Sequence, residues 1–358
     1  MFDPVRSLSS LAGRIAALRS DSWRVHELAV QRRRAGHDVI VLSLGEPDFL
    51  PPEPAVEAAV AGLRGGRTHY TYARGEPRVL RAISRIATEQ AGREVAPDRI
   101  VFFPGSQAAL FSVLLCLVES GDEIIVPAPA YSTYPGVVAA TGATWVDVPL
   151  LPEHRFHLRI EDVAAAITER TRAILVNSPH NPTGAVATRE ELEELGALCR
   201  AHGLWLVADE VYAALAYGRP HTSVLALPQA EDFAISLGSL SKSHAMTGFR
   251  SGWAVAPSEL ADRLALLLES MLFGSPPFIQ DAGVAALADG AIAATMREAY
   301  RRRAGLLVGL LEAAAGIAGP PTGGWDVRAR RRARDRPVGR GVRAAPARGG
   351  GCRRHAHG

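Results

Sequence analysis

Short apolar runs alternate with helical stretches between residues 100 and 256, and this alternation constrains the fold more than any other feature of the chain. It is typical of a mainly parallel β-sheet covered by helices. Each run spans four or five residues, which is enough for a buried strand. The sequence therefore predicts an α/β domain with seven strands, at residues 100–103, 123–126, 144–148, 173–176, 204–208, 233–237 and 252–256.

Polar residues follow several of these runs, where open sheets of this kind bind their ligands. Gly105 and Ser106 follow the first run and open a helical stretch whose free backbone amides can bind a phosphate. Asp209 follows the fifth run, and a buried carboxylate there is costly unless it meets a cation. Both positions have a simpler interpretation as helix caps, which stays open at this point.

Residues 177–184 follow the fourth run and contain two prolines and a glycine. These residue types favour a rigid turn, which would hold the side-chain amide of Asn181 in place. An ordinary Asn-Pro turn is the alternative interpretation. The position after a predicted strand favours a role at the same edge of the sheet.

Lys242 is the only lysine among the 40 basic residues of the chain. Arginine can supply a solvated positive charge, but only an amine can lose its proton and form a Schiff base with a carbonyl. Lys242 follows the sixth run and stands near Ser239, Ser241 and Arg250, which are donors suited to a phosphate. An amine beside a phosphate site indicates pyridoxal phosphate. A surface lysine without a function is the alternative.

Composition excludes several other classes of protein. A chain of 358 residues with 47% hydrophobic residues is long enough for one large domain and a smaller one. Cys116, Cys199 and Cys352 show no spacing typical of disulfides or a zinc site. No window is apolar enough for a signal peptide or a spanning helix. These features predict a cytoplasmic enzyme that contacts no membrane and needs no metal.

Several motifs occur together, in one order, between about residue 40 and residue 256. They are Leu44-Gly45-Glu46-Pro47-Asp48-Phe49, the segment 70–75, Asn181-Pro182-Thr183-Gly184, Asp209 with Tyr212, and the segment from Ser239 to Arg250. In this combination the chain resembles class I/II aminotransferases, the fold-type I enzymes that depend on pyridoxal phosphate. The resemblance implies a seven-stranded, mainly parallel sheet between helices, with a smaller α/β domain that is incomplete here.

The resemblance also implies a role for individual residues. Lys242 would be the catalytic residue that forms the Schiff base with pyridoxal phosphate and moves protons. Gly45 and Asn181 would contact the substrate, and Tyr70 would reach the site of the partner subunit in a homodimer. The cofactor-binding residues would be Ser106, Gln107, Tyr131, Asn181, Asp209, Tyr212, Ser239, Ser241 and Arg250.

The implied activity is the transfer of an α-amino group from an amino acid to a 2-oxo acid by a ping-pong mechanism. Four stretches of the chain are most similar to arginine:pyruvate transaminases, which makes arginine a candidate donor and pyruvate a candidate acceptor. They are residues 177–181, 241–248, 271–281 and 296–303. A lyase of the same fold is an alternative, because it would share the lysine and the aspartate.

The chain departs from the family after Gly324. Residues 325–358 contain eleven arginines, two acidic residues and almost no large apolar side chains. This composition predicts disorder, and it is what a shifted reading frame in GC-rich DNA would encode. A basic arm for nucleic acid is a less favoured interpretation, because the segment has no interleaved aromatic residues.

The resemblance divides the chain into four parts: an N-terminal arm with part of the small domain (1–45), a large cofactor-binding domain (46–285), the start of the C-terminal small domain (286–324) and the arginine-rich tail (325–358). In the family, the segment replaced by the tail carries an arginine that binds the substrate carboxylate. A catalytically impaired protein that keeps the fold is therefore a further alternative.

Overall fold

The computed structural model of the protein describes residues 8–18 and 21–315. In this part of the chain, seven strands form a single sheet in the order β1-β7-β6-β5-β4-β2-β3. β7 is antiparallel to both of its neighbours, and all other pairs are parallel. The strands are β1 (Ile100–Phe103), β2 (Glu123–Ala128), β3 (Thr144–Pro149), β4 (Thr171–Asn177), β5 (Trp205–Asp209), β6 (Ala234–Ser239) and β7 (Gly252–Val255).

All seven predicted strands are confirmed: β1 matches at both ends, and the ends of the other strands shift by at most two residues. β6 begins after Phe233, because Phe233 ends a short helix that directly precedes the strand. It continues to Ser239, because Gly238 and Ser239 pair with Trp253 and Gly252 of β7. Pairing with a neighbouring strand cannot be read from one run of residues, so the sequence placed these ends less well than the strands themselves.

Helices cover the sheet on both faces. Within the described residues they are α1 (Ser10–Ala17), α2 (Asp21–Arg34), α3 (Glu53–Arg64), α4 (Pro77–Ala91), α5 (Ser106–Leu117), α6 (Tyr134–Thr141), α7 (Ile160–Ala166), α8 (Arg189–His202), α9 (Ala230–Phe233), α10 (Leu240–Ser243), α11 (Ser258–Leu272), α12 (Pro277–Leu287) and α13 (Ala291–Ala315). None of them is long and apolar enough to span a membrane.

α8 shows how the sequence sets the ends of a helix. Thr188 and Glu191 form a capping box, in which each side chain accepts a hydrogen bond from the backbone of the other residue. Gly203 ends the helix in the left-handed conformation that glycine adopts without strain. Between these ends, Leu192 and Leu195 are buried against the sheet face.

Alternating residues of β1 lie in different hydrophobic cores. Val101 and Phe103 belong to the core that includes residues of α5 and α11, whereas Ile100 and Phe102 belong to the core under α4 and α12. Both faces of the strand are therefore buried, as expected for the interior of a helix-covered sheet. This double burial explains why the strands read as continuous apolar runs rather than alternating ones.

α13 packs against the main body of the chain. Its residues Met296, Tyr300 and Ala304 are buried with Tyr212 and Leu215, which follow β5. This packing does not test the predicted domain boundaries at residues 45, 285 and 324. Residues 316–358, which include the arginine-rich tail, lie outside the described residues.

Candidate active site

A cavity of about 210 Å³ opens at the carboxyl ends of β5 and β6. Asn181 lies beside it and Tyr70 does not line it. The structure thus brings together ten of the twelve residues that the sequence singled out: Gly45, Ser106, Gln107, Tyr131, Asp209, Tyr212, Ser239, Ser241, Lys242 and Arg250.

Lys242 lies on α10, a single helical turn that begins directly after β6. Its amine Nζ donates a hydrogen bond to the carbonyl oxygen of Gly45, 2.5 Å away. Burial lowers the pKa of Lys242, the nearby Glu46 opposes this shift, and the positive charge of Arg250 adds to it. The lysine therefore carries a neutral, nucleophilic amine more often than an exposed lysine does.

Asp209 is the last residue of β5 and is only 8% exposed. The hydroxyl of the buried Tyr134 donates to its Oδ2 at 2.7 Å, and the backbone N–H of Val211 donates to its Oδ1 at 3.3 Å. Burial raises the pKa of Asp209, while the hydrogen bond from Tyr134 opposes that rise. A buried carboxylate of this kind is stabilised by a cationic ligand.

The turn at residues 177–184 positions Asn181 through hydrogen bonds. The side chain of Asn177 accepts from the backbone N–H of Asn181 at 2.7 Å and donates to the carbonyl of Asp209 at 2.8 Å. Asn181 in turn donates from Nδ2 to the hydroxyl of Tyr212 at 3.1 Å. Burial raises the pKa of Tyr212, which keeps its phenol protonated. The turn is therefore tied both to the end of β5 and to Tyr212, which lies shortly after it.

Two glycines, Gly105 and Gly252, allow close contacts beside Ser106 and Arg250, which line another part of the cavity. A Cβ atom at Gly105 would collide with the guanidinium of Arg250, and one at Gly252 would collide with the backbone of Gly105 and Ser106. Gly105 also has a φ of +93°, which other residues rarely adopt. Because of this close approach, the free amides at the start of α5 lie beside the Arg250 guanidinium.

Serine hydroxyls complete this end of the cavity. The Oγ of Ser239 lies 2.9 Å from the Oγ of Ser241 and 2.9 Å from the carbonyl oxygen of Ser251. Ser239 also accepts a hydrogen bond from the backbone N–H of Ser241 at 3.0 Å, so it caps α10. Amides, hydroxyls and a guanidinium form the set of donors that binds a phosphate.

Tyr131 and Gln107 form the side of the cavity nearest α6. The ring of Tyr131 packs edge-on against the ring of Tyr134, with 5.6 Å between their centroids. Gln107 accepts a hydrogen bond from the hydroxyl of Thr133 at 3.1 Å. Burial raises the pKa of Tyr131, with the charge of Asp209 adding to the rise. Tyr131 therefore presents a neutral aromatic ring to the cavity.

Tyr70 lies apart from this cavity, with 87% of its surface exposed. Its ring contacts the ring of Phe273 at a centroid distance of 5.3 Å. The sequence assigned Tyr70 to the site of a partner subunit, and nothing within one chain tests that assignment.

The sequence interpretation missed Tyr134 and Asn177, although both hydrogen-bond to Asp209. Asn177 is the last residue of β4 and pairs with Asp209 in the sheet. Like Asp209, it is a polar residue directly after an apolar run, and this signal was available in the sequence. Tyr134 gave a weaker signal. A tyrosine in an apolar helix needs a partner for its hydroxyl, but the sequence alone does not show which residue that partner is.

The residues around the cavity fit pyridoxal phosphate. The glycine-lined cradle beside Arg250 has donors for its phosphate, and the buried carboxyl of Asp209 suits a protonated pyridine nitrogen. Asn181 and Tyr212 offer hydrogen bonds for a ring oxygen, and Lys242 offers the amine that an aldehyde requires. Arg250, Asp209, Tyr212 and Lys242 line one cavity and Asn181 lies beside it, so a single molecule could contact them together.

Comparison with known proteins gives an independent assignment. The sequence profile of the family described as aminotransferase class I and II matches residues 37–329. The arginine–pyruvate transaminase of Pseudomonas aeruginosa is 44% identical over 310 residues, which cover 86% of this chain and 79% of that protein. The aspartate aminotransferase of Geobacillus stearothermophilus is 35% identical over 301 residues, which cover 83% of this chain and 77% of that protein.

The fold comparison agrees with the sequence comparison. The structure of Thermus thermophilus aspartate aminotransferase with maleate superposes with a TM-score of 0.84 at 35% identity, covering 89% of this chain and 83% of that one. These matches confirm the fold-type I architecture and favour transamination over the lyase alternative. With the profile match across most of its length, the chain belongs to the class I and II aminotransferases.

Proposed function

We propose that this aminotransferase moves the α-amino group of arginine to a 2-oxo acid such as pyruvate, by a ping-pong mechanism. The observation that carries the proposal is that the amine of Lys242 and the buried carboxyl of Asp209 line one cavity. The family depends on pyridoxal phosphate, and the residues at this cavity fit that cofactor. Arginine and pyruvate are proposed because the 44% identical relative is an arginine–pyruvate transaminase.

Each group would have a separate task. When bound, pyridoxal phosphate supplies an aldehyde that condenses with amines and a ring that withdraws electrons from the substrate α-carbon. Asp209 would hold the pyridine nitrogen in its protonated form, and Asn181 and Tyr212 would hydrogen-bond the ring oxygen. The ring face would lie on Tyr131, and the phosphate would be held by Ser106, Gln107, Ser239, Ser241 and Arg250.

Lys242 would then act as acid and base at the substrate α-carbon. Burial lowers its pKa, so the amine is unprotonated more often than that of an exposed lysine and can accept a proton and donate it again. The carbonyl of Gly45 orients the amine by accepting its hydrogen bond. The phenol of Tyr212 stays protonated and can donate a hydrogen bond during this transfer.

Three further assignments belong to the proposal. A homodimer would place the exposed Tyr70 of one subunit at the phosphate of the other, and its 87% exposure supports a role outside its own subunit. The domain division at residues 45, 285 and 324 follows the resemblance. A cytoplasmic location is supported by Cys116 and Cys199, which are both free thiols.

The tail at 325–358 would be the product of a shifted reading frame. Its eleven arginines and near absence of large apolar residues support this origin. Sequencing the gene tests it: we expect a single-base change to restore an apolar, family-like ending. If no such change exists in the DNA, the frameshift origin is wrong.

The experiment that tests the function uses the purified full-length chain mixed with pyridoxal phosphate. After gel filtration removes unbound pyridoxal phosphate, we expect a yellow absorbance of the protein that Lys242→Ala alters or abolishes, and loss of that absorbance when arginine is added. With pyruvate present, alanine should form in proportion to the 2-oxo acid made from arginine, with parallel double-reciprocal plots. A matched series with aspartate and alanine as donors measures the preference.

The outcomes separate the alternatives. Yellow absorbance that does not change when any of the amino donors is added would indicate the impaired protein, which lacks the arginine that binds the substrate carboxylate. Consumption of an amino acid without alanine formation would indicate lyase chemistry. Higher kcat/KM for aspartate than for arginine would overturn the proposed donor but leave the transamination intact.

A further inference from the structure

The loop at residues 44–49, which we call the lip, contacts the amine of Lys242 through Gly45. It contains neither helix nor strand, so side-chain and single backbone contacts fix its position. The carbonyl of Gly45 accepts the hydrogen bond from Lys242, and the carboxylate of Glu46 accepts one from Thr247 at 2.5 Å. The lip therefore contacts both Lys242 and Thr247.

The far end of the lip is attached to α13. The guanidinium of Arg303 donates two parallel hydrogen bonds to the carboxylate of Asp48, at 2.8 and 2.9 Å. Its charge also lies 5.4 Å from the ring centroid of Phe49 and 5.7 Å from that of Tyr300. The two rings meet edge-on at 5.9 Å. We call these four residues the clasp.

The clasp connects a loop without regular structure to a helix that is fixed in the core. Tyr300 is 3% exposed and is buried with Met296 and Tyr212, so this part of α13 cannot shift without disturbing Tyr212, which lines the cavity. Asp48 is only three residues from Gly45 along the chain. A bidentate pair that also stacks on two rings restricts direction as well as distance.

We propose that Asp48 and Arg303 are positioning residues for Lys242, which hold the lip closed so that Gly45 orients the amine and water has little access to it. The proposal rests on the assigned function of Lys242, but the restriction on the amine exists without cofactor. The hydrogen bond from Arg303 also lowers the pKa of Asp48, which keeps the pair charged at neutral pH.

The chain itself provides the assay, because Lys242 is its only lysine. Reductive methylation of the cofactor-free protein can modify only this side chain and the α-amine, and mass spectrometry of peptides separates the two. We expect Lys242 in Arg303→Gln to be methylated about threefold to tenfold faster than in wild type. The α-amine should react at an unchanged rate, which makes it an internal reference.

Arg301→Gln is the matched control. Arg301 lies on the same helix and forms a slightly shorter bidentate pair with Glu298, at 2.6 and 2.7 Å, but Glu298 is on α13 and not in the lip. Its methylation rate at Lys242 should equal that of wild type. Equal acceleration in both variants would show general loosening of α13 and would overturn the proposal.

A second variant keeps the proposal testable if Arg303→Gln folds poorly. Asp48→Asn should accelerate methylation to the same degree, and the double variant should be no faster than either single one, because both remove the same pair. Unchanged methylation rates in both single variants, or additive effects in the double variant, would refute the proposed role of the Asp48–Arg303 pair. Absence of transamination would refute the proposed function alone, since these rates need no cofactor.

Discussion

The floor of the cavity and its lip are held in place by different physical means. The floor consists of the ends of β5 and β6, which are hydrogen-bonded to neighbouring strands on both sides, and Asp209 and Ser239 are less than a tenth exposed. The lip has no regular structure, and Leu44 within it is 47% exposed. Exposed ion pairs contribute about 0–1 kcal/mol each. Asp209 and Ser239 thus lie on rigid strands, whereas the position of the lip depends on weaker contacts.

The largest expected effect tests the floor. We expect Asp209→Ala to reduce kcat/KM and cofactor affinity by about a hundredfold to a thousandfold, because it removes the partner of a buried cation. Asp209→Asn keeps the shape and loses the charge, so it should lie close to Asp209→Ala. Fluorescence titration with pyridoxal phosphate and steady-state rates provide the two measurements.

The comparison would fail if Asp209→Asn bound cofactor and turned over like wild type. The floor would then contribute shape and not charge. A matched control is Asp162→Asn on α7, because Asp162 lies on a helix away from the cavity. It should leave both quantities unchanged.

The next effect tests whether the floor depends on the buried hydrogen bonds of Glu210, the residue that follows Asp209. Glu210 is buried and accepts hydrogen bonds from Ser223 at 2.7 Å, from Ser236 at 2.6 Å and from the backbone of Val224 at 2.8 Å. His221 lies 3.6 Å from its carboxylate. Glu210→Gln should lower the free energy of unfolding by about 2 kcal/mol at pH 7, because the amide cannot accept all of these bonds.

The same residue sets a pH dependence. Burial alone would raise the pKa of Glu210, but His221 and the hydrogen bonds from Ser236 and Val224 together lower it below its ordinary value of 4.5. Since the folded pKa is the lower one, the stabilisation is fully present above about pH 4.5 and is lost as the pH falls through the folded value. Denaturant unfolding from pH 7 to pH 3 should show a steeper loss in wild type than in Glu210→Gln. Parallel curves would contradict this.

The smallest expected effect tests the lip. Thr247→Val removes the hydroxyl that donates to Glu46 while keeping the side-chain shape. We expect Lys242 to be methylated about twofold to threefold faster, with little change in stability, because a half-exposed hydrogen bond contributes modestly. Thr295→Val on α13, whose hydroxyl donates to its own helix, is the control. If Thr247→Val reduced kcat/KM more than Asp209→Asn does, the lip would contribute more to turnover than the floor, which would contradict the ranking.

Much of the fold could be predicted because burial on both faces leaves a strong pattern in the sequence. Each apolar run became a strand, and the errors concern ends such as Ser239, where pairing with Gly252 of a strand further along the chain adds residues. The disorder predicted for residues 325–358 stays a prediction, since these residues lie outside the described part of the chain. The roles of the individual site residues also stay predictions, although most of these residues surround one cavity.

The sequence by itself determined the family, the sheet and the residue types that chemistry at an amine requires, because these depend on local periodicity and on motifs in fixed order. Only the tertiary structure decided that Tyr134 donates to Asp209 and that Arg303 clasps Asp48, since these partners are 75 and 255 residues apart. No local pattern specifies a contact across such separations. It arises when packing of the sheet and of α13 brings distant segments together.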